Sequence, residues 1–335
     1  MRLPTLFILP LFVLSTALYC QIPAEQILRG LELGIQERYE KSLQLFTRYQ
    51  EKFPADPAPY FFKASIIQSR MMDFETQHWR NDFISLLDQA ADLSDSLRQQ
   101  HPQNLDYPFY YGASLAYKSF QLSREGKYLA GIRLATKAIH MLENVLEKDS
   151  TYYDAYLGLG SYKYWRSYLT RHFTWLPFFS DQREEGIYLI QQAYEHSRFS
   201  KWAALSNLAW IYIQEERYEE AIECAEAGLK HFPESRFFLW PHGDALYYHG
   251  DYEKALHTYN ALLSSLTAEQ INNRYNEVVL HLKIAQCHVH LQNTILAQQH
   301  AQRVLQIDTE PDIEKRLKDK RRDAAALVAN LNQQD

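Results

Sequence analysis

The sequence predicts an all-α protein in which paired helices stack into one curved solenoid and a last helix covers its end. Three observations support this fold class. The 335 residues include only 11 glycines and 12 prolines, whereas extended all-β folds need many turns rich in these residues. Apolar residues recur with the spacing of amphipathic helices. Small residues return at fixed intervals, which explains how so long a chain forms one repeat domain.

Residues 1–20, MRLPTLFILPLFVLSTALYC, are the first element. They carry one charge, Arg2, followed by an uncharged apolar run up to Gln21. This order predicts a secretory signal peptide that is cleaved near Gln21. The alternative is a permanent membrane anchor, but the run is short for a span and two prolines interrupt it. We expect an exported bacterial protein, periplasmic or envelope-associated, with no stable membrane span after cleavage.

The three cysteines have different expected roles. Cys20 raises the alternative of a lipid anchor, which we disfavour because Tyr19, rather than a small residue, precedes it. Cys224 and Cys287 lie in apolar helical stretches, and their spacing requires no disulfide. We expect them to be buried small side chains.

Residues 202–235 show the repeating unit most clearly, as two helical segments joined by the sequence QEER. Apolar residues of the second segment follow an i, i+3, i+4, i+7, i+11 stripe: Tyr218, Ala221, Ile222, Ala225 and Leu229. Ala209 and Ala221 are followed 34 residues later by Gly243 and Ala255. Small residues at these points let two helices cross closely.

This unit resembles the tetratricopeptide repeat, which has a small residue in the first helix, a tyrosine three later and a small residue twelve later. Ala209, Tyr212 and Ala221 match, whereas Leu246 replaces the tyrosine in the next unit. The resemblance implies a right-handed αα superhelix. It also implies that the first helices line a concave face.

The same pattern extends towards both ends of the chain. A first repeat is predicted from Gly30, Ser42, Phe46 and Pro54, and a last one from Ala285, Ala297, Ala301 and Val304. About seven repeats therefore fill residues 21–309, and residues 310–335 form a capping helix and tail.

Three enlarged units lie between these repeats, near residues 57–104, 105–152 and 153–200. Their small residues are 48 apart, Ala64, Gly112 and Gly160 in the first helices and Ala90, Ala138 and Gly186 in the second. Within each unit the two small residues are 26 rather than 12 apart, an enlargement of 14 residues. Fourteen residues are about four helical turns, so we expect two added turns in each helix.

The third enlarged unit contains the aromatic-rich residues 152–179. They share their register with aromatic residues at 60–70 and 110–120, so we expect much of this stretch to be core between repeats. We predict that 171–179 bridges the two helices of the unit, with Trp175, Phe178 and Phe179 folded onto the solenoid. Ser180 or Asp181 is expected to cap the next helix.

This unit also resembles the tetratricopeptide-39 and inclusion-body-clearance family over about 40 residues. The matching sequences are YLGLGSYKYWRSYL (156–169), the Leu-Pro of WLPFFS (175–180) and SDQREEGIYLIQQA (180–193). The resemblance implies a helical binding protein with long middle repeats and no enzymatic activity.

The motifs indicate no catalytic, metal or cofactor site. Nucleophile-elbow, zinc-protease and phosphate-loop sequences do not occur. Gly158 and Gly160 lack the third glycine of a dinucleotide fingerprint, and the 13 histidines are dispersed. A net charge of −6 argues against nucleic-acid binding by a general basic surface.

The sequence KRLKDKRR at 315–322 holds six basic residues in eight. One interpretation is a contact with an anionic surface or nucleic acid. The other, which we favour, is the polar outer face of the capping helix. The inner face of that helix would then consist of Ile313, Leu317, Ala324, Leu327 and Leu331.

The candidate binding site is the concave face that the tetratricopeptide resemblance implies. The residues that map to it are Ser161, Tyr164, Trp165, Tyr168, Trp210, Gln214, Asp244 and Tyr248. These rings can stack on apolar or sugar-like parts of a partner, or they can fill the space between repeats.

The leading hypothesis is a non-catalytic scaffold that binds a protein or peptide partner. The alternative is a small-ligand carrier or enzyme with a pocket formed by the enlarged repeats.

Overall fold

The computed structural model describes residues 21–171, 180–269 and 271–333. Within these ranges the chain is all-α, as predicted, with fifteen helices and no strand. The helices are α1 (Ala24–Ile35), α2 (Tyr39–Lys52), α3 (Pro57–Asp73), α4 (Arg80–Gln100), α5 (Asp106–Arg124), α6 (Tyr128–Lys148), α7 (Asp154–Thr170), α8 (Arg183–His196), α9 (Lys201–Gln214), α10 (Tyr218–His231), α11 (Arg236–His249), α12 (Tyr252–Thr267), α13 (Tyr275–His290), α14 (Thr294–Gln306) and α15 (Pro311–Leu331). The predicted signal peptide with Cys20, and Trp175, Phe178 and Phe179 of the predicted bridge, lie outside the described residues.

Consecutive helices pair from α1–α2 to α13–α14, and glycines lie where the paired helices cross. A Cβ atom on Gly160 would lie 2.7 Å from the carbonyl oxygen of Gly186. A Cβ atom on Gly30 would lie 2.3 Å from the Phe46 ring, and Ser42 Oγ donates to the Gly30 carbonyl at 2.7 Å. Any larger side chain would push these helices apart. The small residues predicted at these crossings are confirmed.

The enlargement of the middle units is distributed unevenly. The second helices α4 and α6 have 21 residues each, against 14 in α10. The first helices α3 and α5 have 17 and 19 residues, against 14 in α9. In the third unit, α7 has 17 residues and α8 only 14. The expectation of two added turns in every helix is therefore wrong, because α7 ends at Thr170 and α8 begins only at Arg183.

The start of α8 also differs from the prediction. Gln182, rather than Ser180 or Asp181, occupies the N-cap position. The Asp181 carboxylate still accepts from the backbone N–H of Arg183 at 3.0 Å, and it pairs with the Arg183 guanidinium at 2.9 Å. Asp181, one residue before the N-cap position, thus accepts a hydrogen bond from one of the N–H groups that the helix leaves free.

Aromatic side chains of the first helices form the core of the enlarged units, as predicted. The ring centroids of Phe61 and Tyr110 lie 5.6 Å apart, and those of Phe62 and Phe199 lie 5.3 Å apart. Phe199 belongs to the connection between α8 and α9, and its backbone N–H donates to the Asp154 carboxylate at 2.9 Å. A later connection therefore places its ring among the first helices of earlier units.

Turns near the beginning of the chain contact its later helices. Glu37 follows α1 and Glu75 follows α3, and both adopt left-handed backbone conformations with φ of 55° and 49°. Arg236, the first residue of α11, binds Asp73 at the end of α3 at 2.6 Å. Arg316 on α15 donates to the carbonyl oxygen of Glu75 at 2.7 Å. These contacts hold the first repeats against α11 and the final helix.

The last helix buries the predicted apolar face. Leu317, Ala324 and Leu331 are buried, and Ile313 and Leu327 are half-buried. Several arginines of the basic run are already paired: Arg321 donates to the Ile307 carbonyl at 2.7 Å, and Arg322 pairs with Asp319 at 2.9 Å. These contacts support the interpretation of the run as the outer face of a terminal helix.

Cys224 and Cys287 are both free, the first half-buried and the second buried. Burial raises the pKa of each thiol to about 12, so neither ionises near neutral pH. Among residues 21–171, 180–269 and 271–333, no helix is both long and apolar enough to span a membrane.

Candidate partner-binding surface

All eight residues assigned to the concave face lie on three first helices, α7, α9 and α11. The largest exposed side chains among them are Trp165, Trp210 and Tyr248, with 37%, 39% and 53% of their surface accessible. Tryptophan and tyrosine combine an apolar ring with a polar N–H or O–H group. These helices therefore present rings that can contact a partner on one side and water on the other.

Tyr164 does not belong to this surface, and its assignment to the binding site is wrong. Its side chain is fully buried, and its hydroxyl donates to Glu215 at 2.8 Å. Burial, together with that carboxylate, raises the pKa of Tyr164. The cause is the close crossing of α7 and α8, where a Cβ atom on Gly186 would lie 3.0 Å from the Tyr164 Cβ. The rotation of α7 at this crossing turns Tyr164 into the core.

Tyr168 connects α7 to α9. Gln214 Nε2 donates to the Tyr168 hydroxyl at 2.5 Å. The Trp165 ring meets the Tyr168 ring edge-on, with centroids 5.8 Å apart, and the Arg171 guanidinium lies 4.2 Å from the Tyr168 centroid. Neighbours on several sides hold these rings, so little side-chain freedom would be lost on contact with another molecule.

Ser161 and Trp210 lie nearer the middle of α7 and α9. Asn207 Nδ2 donates to Ser161 Oγ at 3.2 Å, which links the two helices a second time. Ser161 is half-buried, so it contributes mainly to this link. Trp210 is more exposed, with part of its ring accessible to solvent.

Asp244 and Tyr248 on α11 have different surroundings. Asp244 Oδ1 accepts from Lys283 Nζ at 2.8 Å and from the Tyr259 hydroxyl at 2.8 Å. This half-buried carboxylate therefore ties α11 to α12 and α13. Tyr248 stacks on Tyr218 of α10 with centroids 5.9 Å apart and keeps its outer side exposed.

Five of the eight predicted residues thus present side-chain atoms to solvent on consecutive first helices. We call them the aromatic surface: Trp165, Tyr168, Trp210, Gln214 and Tyr248. Its chemistry is that of ring faces, two hydroxyls, indole N–H groups and one amide. Such groups can pack against apolar side chains and form hydrogen bonds with peptide groups.

Groups of metal-binding side chains and surface hollows are the other features that can mark a site. No group of three histidine, cysteine, aspartate or glutamate side chains is placed in the described parts of the chain to hold a metal ion. Two hollows of about 570 and 580 Å³ lie on α2 and at the connection between α4 and α5. Neither borders the aromatic surface.

Sequence reasoning missed the residues that fix this surface. Glu215 binds Tyr164 and also accepts from Arg183 Nη1 at 2.8 Å, whereas Lys283 holds Asp244. Arg171 covers one side of Tyr168. The one available signal was a lysine flanked by apolar residues, as Lys283 is by Leu282 and Ile284 in α13. Its partner lies on another repeat, which spacing within a repeat does not reveal.

The comparisons with known proteins support the repeat. Residues 202–235, which include most of α9 and all of α10, match the tetratricopeptide repeat family. No curated protein matches the chain.

Several solved structures are similar at low identity. The C-terminal part of a tetratricopeptide repeat-containing protein from Cytophaga hutchinsonii is 14% identical, with 86% of this chain and 98% of that chain covered and a TM-score of 0.45. A thermophilic tetratricopeptide repeat protein from Thermus thermophilus is 18% identical, with coverage of 67% and 99% and a TM-score of 0.42. YrrB, described as a tetratricopeptide repeat protein with an unusual peptide-binding site, is 12% identical, with coverage of 68% and 99% and a TM-score of 0.45.

Proposed function

We propose that this chain, an all-α solenoid that carries a tetratricopeptide repeat at residues 202–235, is a non-catalytic scaffold for a protein or peptide partner. The partner binds the aromatic surface of α7, α9 and α11. Repeat solenoids use extended surfaces of this kind for binding because each repeat adds a strip of side chains to the next.

The observation that carries this proposal is the exposure of Trp165, Trp210 and Tyr248 on consecutive first helices. Tryptophan and tyrosine are enriched among the residues that dominate binding energy at protein interfaces. The hydrogen bond between Gln214 and Tyr168 links α9, which carries Trp210, to α7, which carries Trp165. The surface therefore combines apolar anchors with polar groups that fix orientation.

The contacts around this surface also limit the chemistry of the partner. Asp244 is held by Lys283, and Glu215 is held by Arg183. Since these charges are paired within the chain, recognition depends on ring stacking and on peptide hydrogen bonds. A segment with apolar or aromatic side chains fits this surface better than a strongly charged one.

We place this scaffold in a bacterial envelope compartment. The composition of residues 1–20 supports export. The chain directly after the expected cleavage site is also anchored, because the backbone N–H of Ile22 donates to Asp56 at 2.8 Å and the Ile22 side chain is buried. Cleavage near Gln21 would leave this anchor intact.

Affinity capture from an envelope extract tests the proposal. The mature chain is compared with Trp210→Ala and Tyr248→Ala variants, and Tyr188→Ala serves as the control because Tyr188 is 56% exposed on α8, outside the aromatic surface. We expect partners that bind the wild type and the control but not the two variants. Equal capture by all four proteins would reject the aromatic surface as the binding site.

A further inference from the structure

The first two turns of α6 expose a second apolar surface. Tyr128, Leu129 and Ile132 have 65%, 78% and 61% of their surface accessible. Single exposed apolar residues are ordinary on soluble proteins, but a contiguous group on one helix marks an interaction site. These residues lie on the second helix of their pair and are not part of the aromatic surface.

The exposure follows from how α6 contacts α5. Gly131 is the only buried residue between Tyr128 and Arg133. Its carbonyl oxygen accepts from Ser119 Oγ at 2.8 Å, and a Cβ atom at this position would lie 2.7 Å from Ser123 Oγ. The beginning of α6 therefore rests on α5 through a narrow strip at Gly131, and the rest of its circumference stays exposed.

At the first two of these three positions, Tyr128 and Leu129, the repeat itself does not require apolar residues. The positions 48 residues before Tyr128 and Leu129 are Arg80 and Asn81 at the start of α4. Arg80 pairs there with Glu125 instead of entering the core. Packing between repeats thus tolerates polar residues at both positions, so the apolar pair in α6 needs another explanation.

Positive charge follows these apolar residues along the helix. Arg133 and Lys137 are exposed, and the sequence from Lys127 to Leu142 contains no aspartate or glutamate. Within the described residues Arg133 forms no ion pair, and Lys137 Nζ lies 5.0 Å from the Tyr111 ring centroid. The chain as a whole carries a net charge of −6, so this basic stretch contrasts with its overall balance.

We propose that this face of α6, formed by Tyr128, Leu129, Ile132, Arg133 and Lys137, docks an acidic amphipathic helix of a protein partner. The apolar side of such a helix would cover Tyr128, Leu129 and Ile132. Its carboxylates would pair with Arg133 and Lys137, which lie one and two turns further along α6. Opposite charges at the edge of an apolar contact set its orientation and exclude wrong partners.

Charge and size favour a protein helix over a lipid surface. Stable attachment to a membrane needs a larger apolar face or a second anchoring signal. Three apolar side chains and two cations are too few for this, and the net negative charge of the chain opposes an anionic bilayer.

Synthetic peptides provide the probe. One peptide carries a leucine stripe at helical spacing with flanking glutamates, and a matched peptide has lysines in place of the glutamates. We expect the mature full-length chain to bind the glutamate peptide in fluorescence anisotropy, more weakly at high salt, and not to bind the lysine peptide. The double variant Leu129→Ser/Ile132→Ser should raise the Kd at least tenfold. The charge-reversal variant Arg133→Glu/Lys137→Glu should no longer bind the glutamate peptide and should bind the lysine peptide instead.

Two controls show that a change in peptide binding is caused neither by misfolding nor by the aromatic surface. Circular dichroism and thermal melting should be unchanged in both variants, since the altered residues are exposed. Trp210→Ala should leave binding of the glutamate peptide unchanged. The α6 surface and the aromatic surface are therefore tested independently, and either proposal can fail without the other.

Three results would overturn the proposal. One is no binding of the glutamate peptide, or binding that the α6 variants leave unchanged. Another is binding to phosphatidylglycerol vesicles that the same variants abolish, which would assign the surface to lipid. The third is self-association in sedimentation experiments that the same variants abolish, which would assign it to a second copy of this chain.

Discussion

Arg236 and Asp73 are 163 residues apart in the sequence, yet Arg236 Nη2 lies 2.6 Å from Asp73 Oδ2. Their side chains are only 3% and 7% exposed. Arg236 also reaches Glu269 at 3.1 Å, and the Tyr39 hydroxyl donates to Asp73 at 3.1 Å. This network joins the start of α11 to the first repeats, so it couples two parts of the solenoid that neighbour-to-neighbour stacking leaves separate.

Replacing Arg236 by alanine should destabilise the fold strongly. Asp73 would remain buried without its cation, and breaking a buried pair in this way costs about 3–5 kcal/mol. We expect a loss of that size in the free energy of unfolding, measured by urea denaturation with circular dichroism. Arg322→Ala is the control, because Arg322 and Asp319 form a pair with side chains 69% and 74% exposed. Equal, small losses in both variants would contradict the role of this network.

Stability should depend on pH through Glu37, which lies beside this network. Ser235 Oγ and the Phe237 N–H each lie 3.3 Å from Glu37 Oε1. Burial raises the pKa of Glu37 from 4.5 to about 8, with Asp73 adding to the shift and Arg236 opposing it. A raised pKa means that the fold favours the neutral carboxyl. The resulting stabilisation is complete below pH 4.5 and is lost as the pH rises to about 8.

Thermal melting from pH 4.5 to 9 measures this effect. The variant Glu37→Gln keeps a neutral side chain of similar shape at every pH. We expect its melting temperature to fall less than that of the wild type as the pH rises across this range. Parallel curves for the two proteins would contradict a raised pKa of Glu37 in the folded state.

The close helix crossings should not tolerate a methyl group. In Gly160→Ala the new Cβ atom would lie 2.7 Å from the backbone oxygen of Gly186, which cannot move without shifting α8. Overpacking of this kind costs about 1–3 kcal/mol. The control is Gly158→Ala, whose Cβ atom would meet only the end of the Leu142 side chain. Equal unfolding free energies in urea for the two variants would contradict the close packing of α7 on α8.

The mature protein should begin near Gln21. Intact-mass measurement of the protein from envelope fractions should give a chain without residues 1–20. A mass that includes Met1–Tyr19, or a lipid on Cys20, would reject this processing. In the second case the protein would still be exported but would be anchored to a membrane.

The fold was largely predictable because helix crossings restrict residue size in a periodic way. Gly30, Gly160 and Gly186 recur where paired helices cross closely, and their spacing could be counted in the sequence. Helix length was harder to predict. Only part of the 14 added residues lengthens α4 and α6, and in the third unit α8 has no added turn. Equal spacing between crossings does not specify how the intervening chain folds.

The candidate surface was predictable only in part. Mapping the repeat onto α7 placed Trp165 and Tyr168 on an accessible side, but the same mapping put Tyr164 there although it is buried. The pairs Arg236–Asp73 and Lys283–Asp244 could not be foreseen, because they depend on how repeats are placed in space. Periodicity within one repeat carries no information about such contacts.

Site-specific photocrosslinking is the strictest test of partner binding at the aromatic surface. A photoreactive phenylalanine analogue replaces Trp210 in one protein and Tyr188 in another, and each is irradiated in the native envelope. We predict a discrete crosslinked protein from position 210 that is absent from position 188 and is lost when Tyr248→Ala is added. The same crosslinked protein at equal yield from both positions, or none from position 210, would contradict partner binding at this surface.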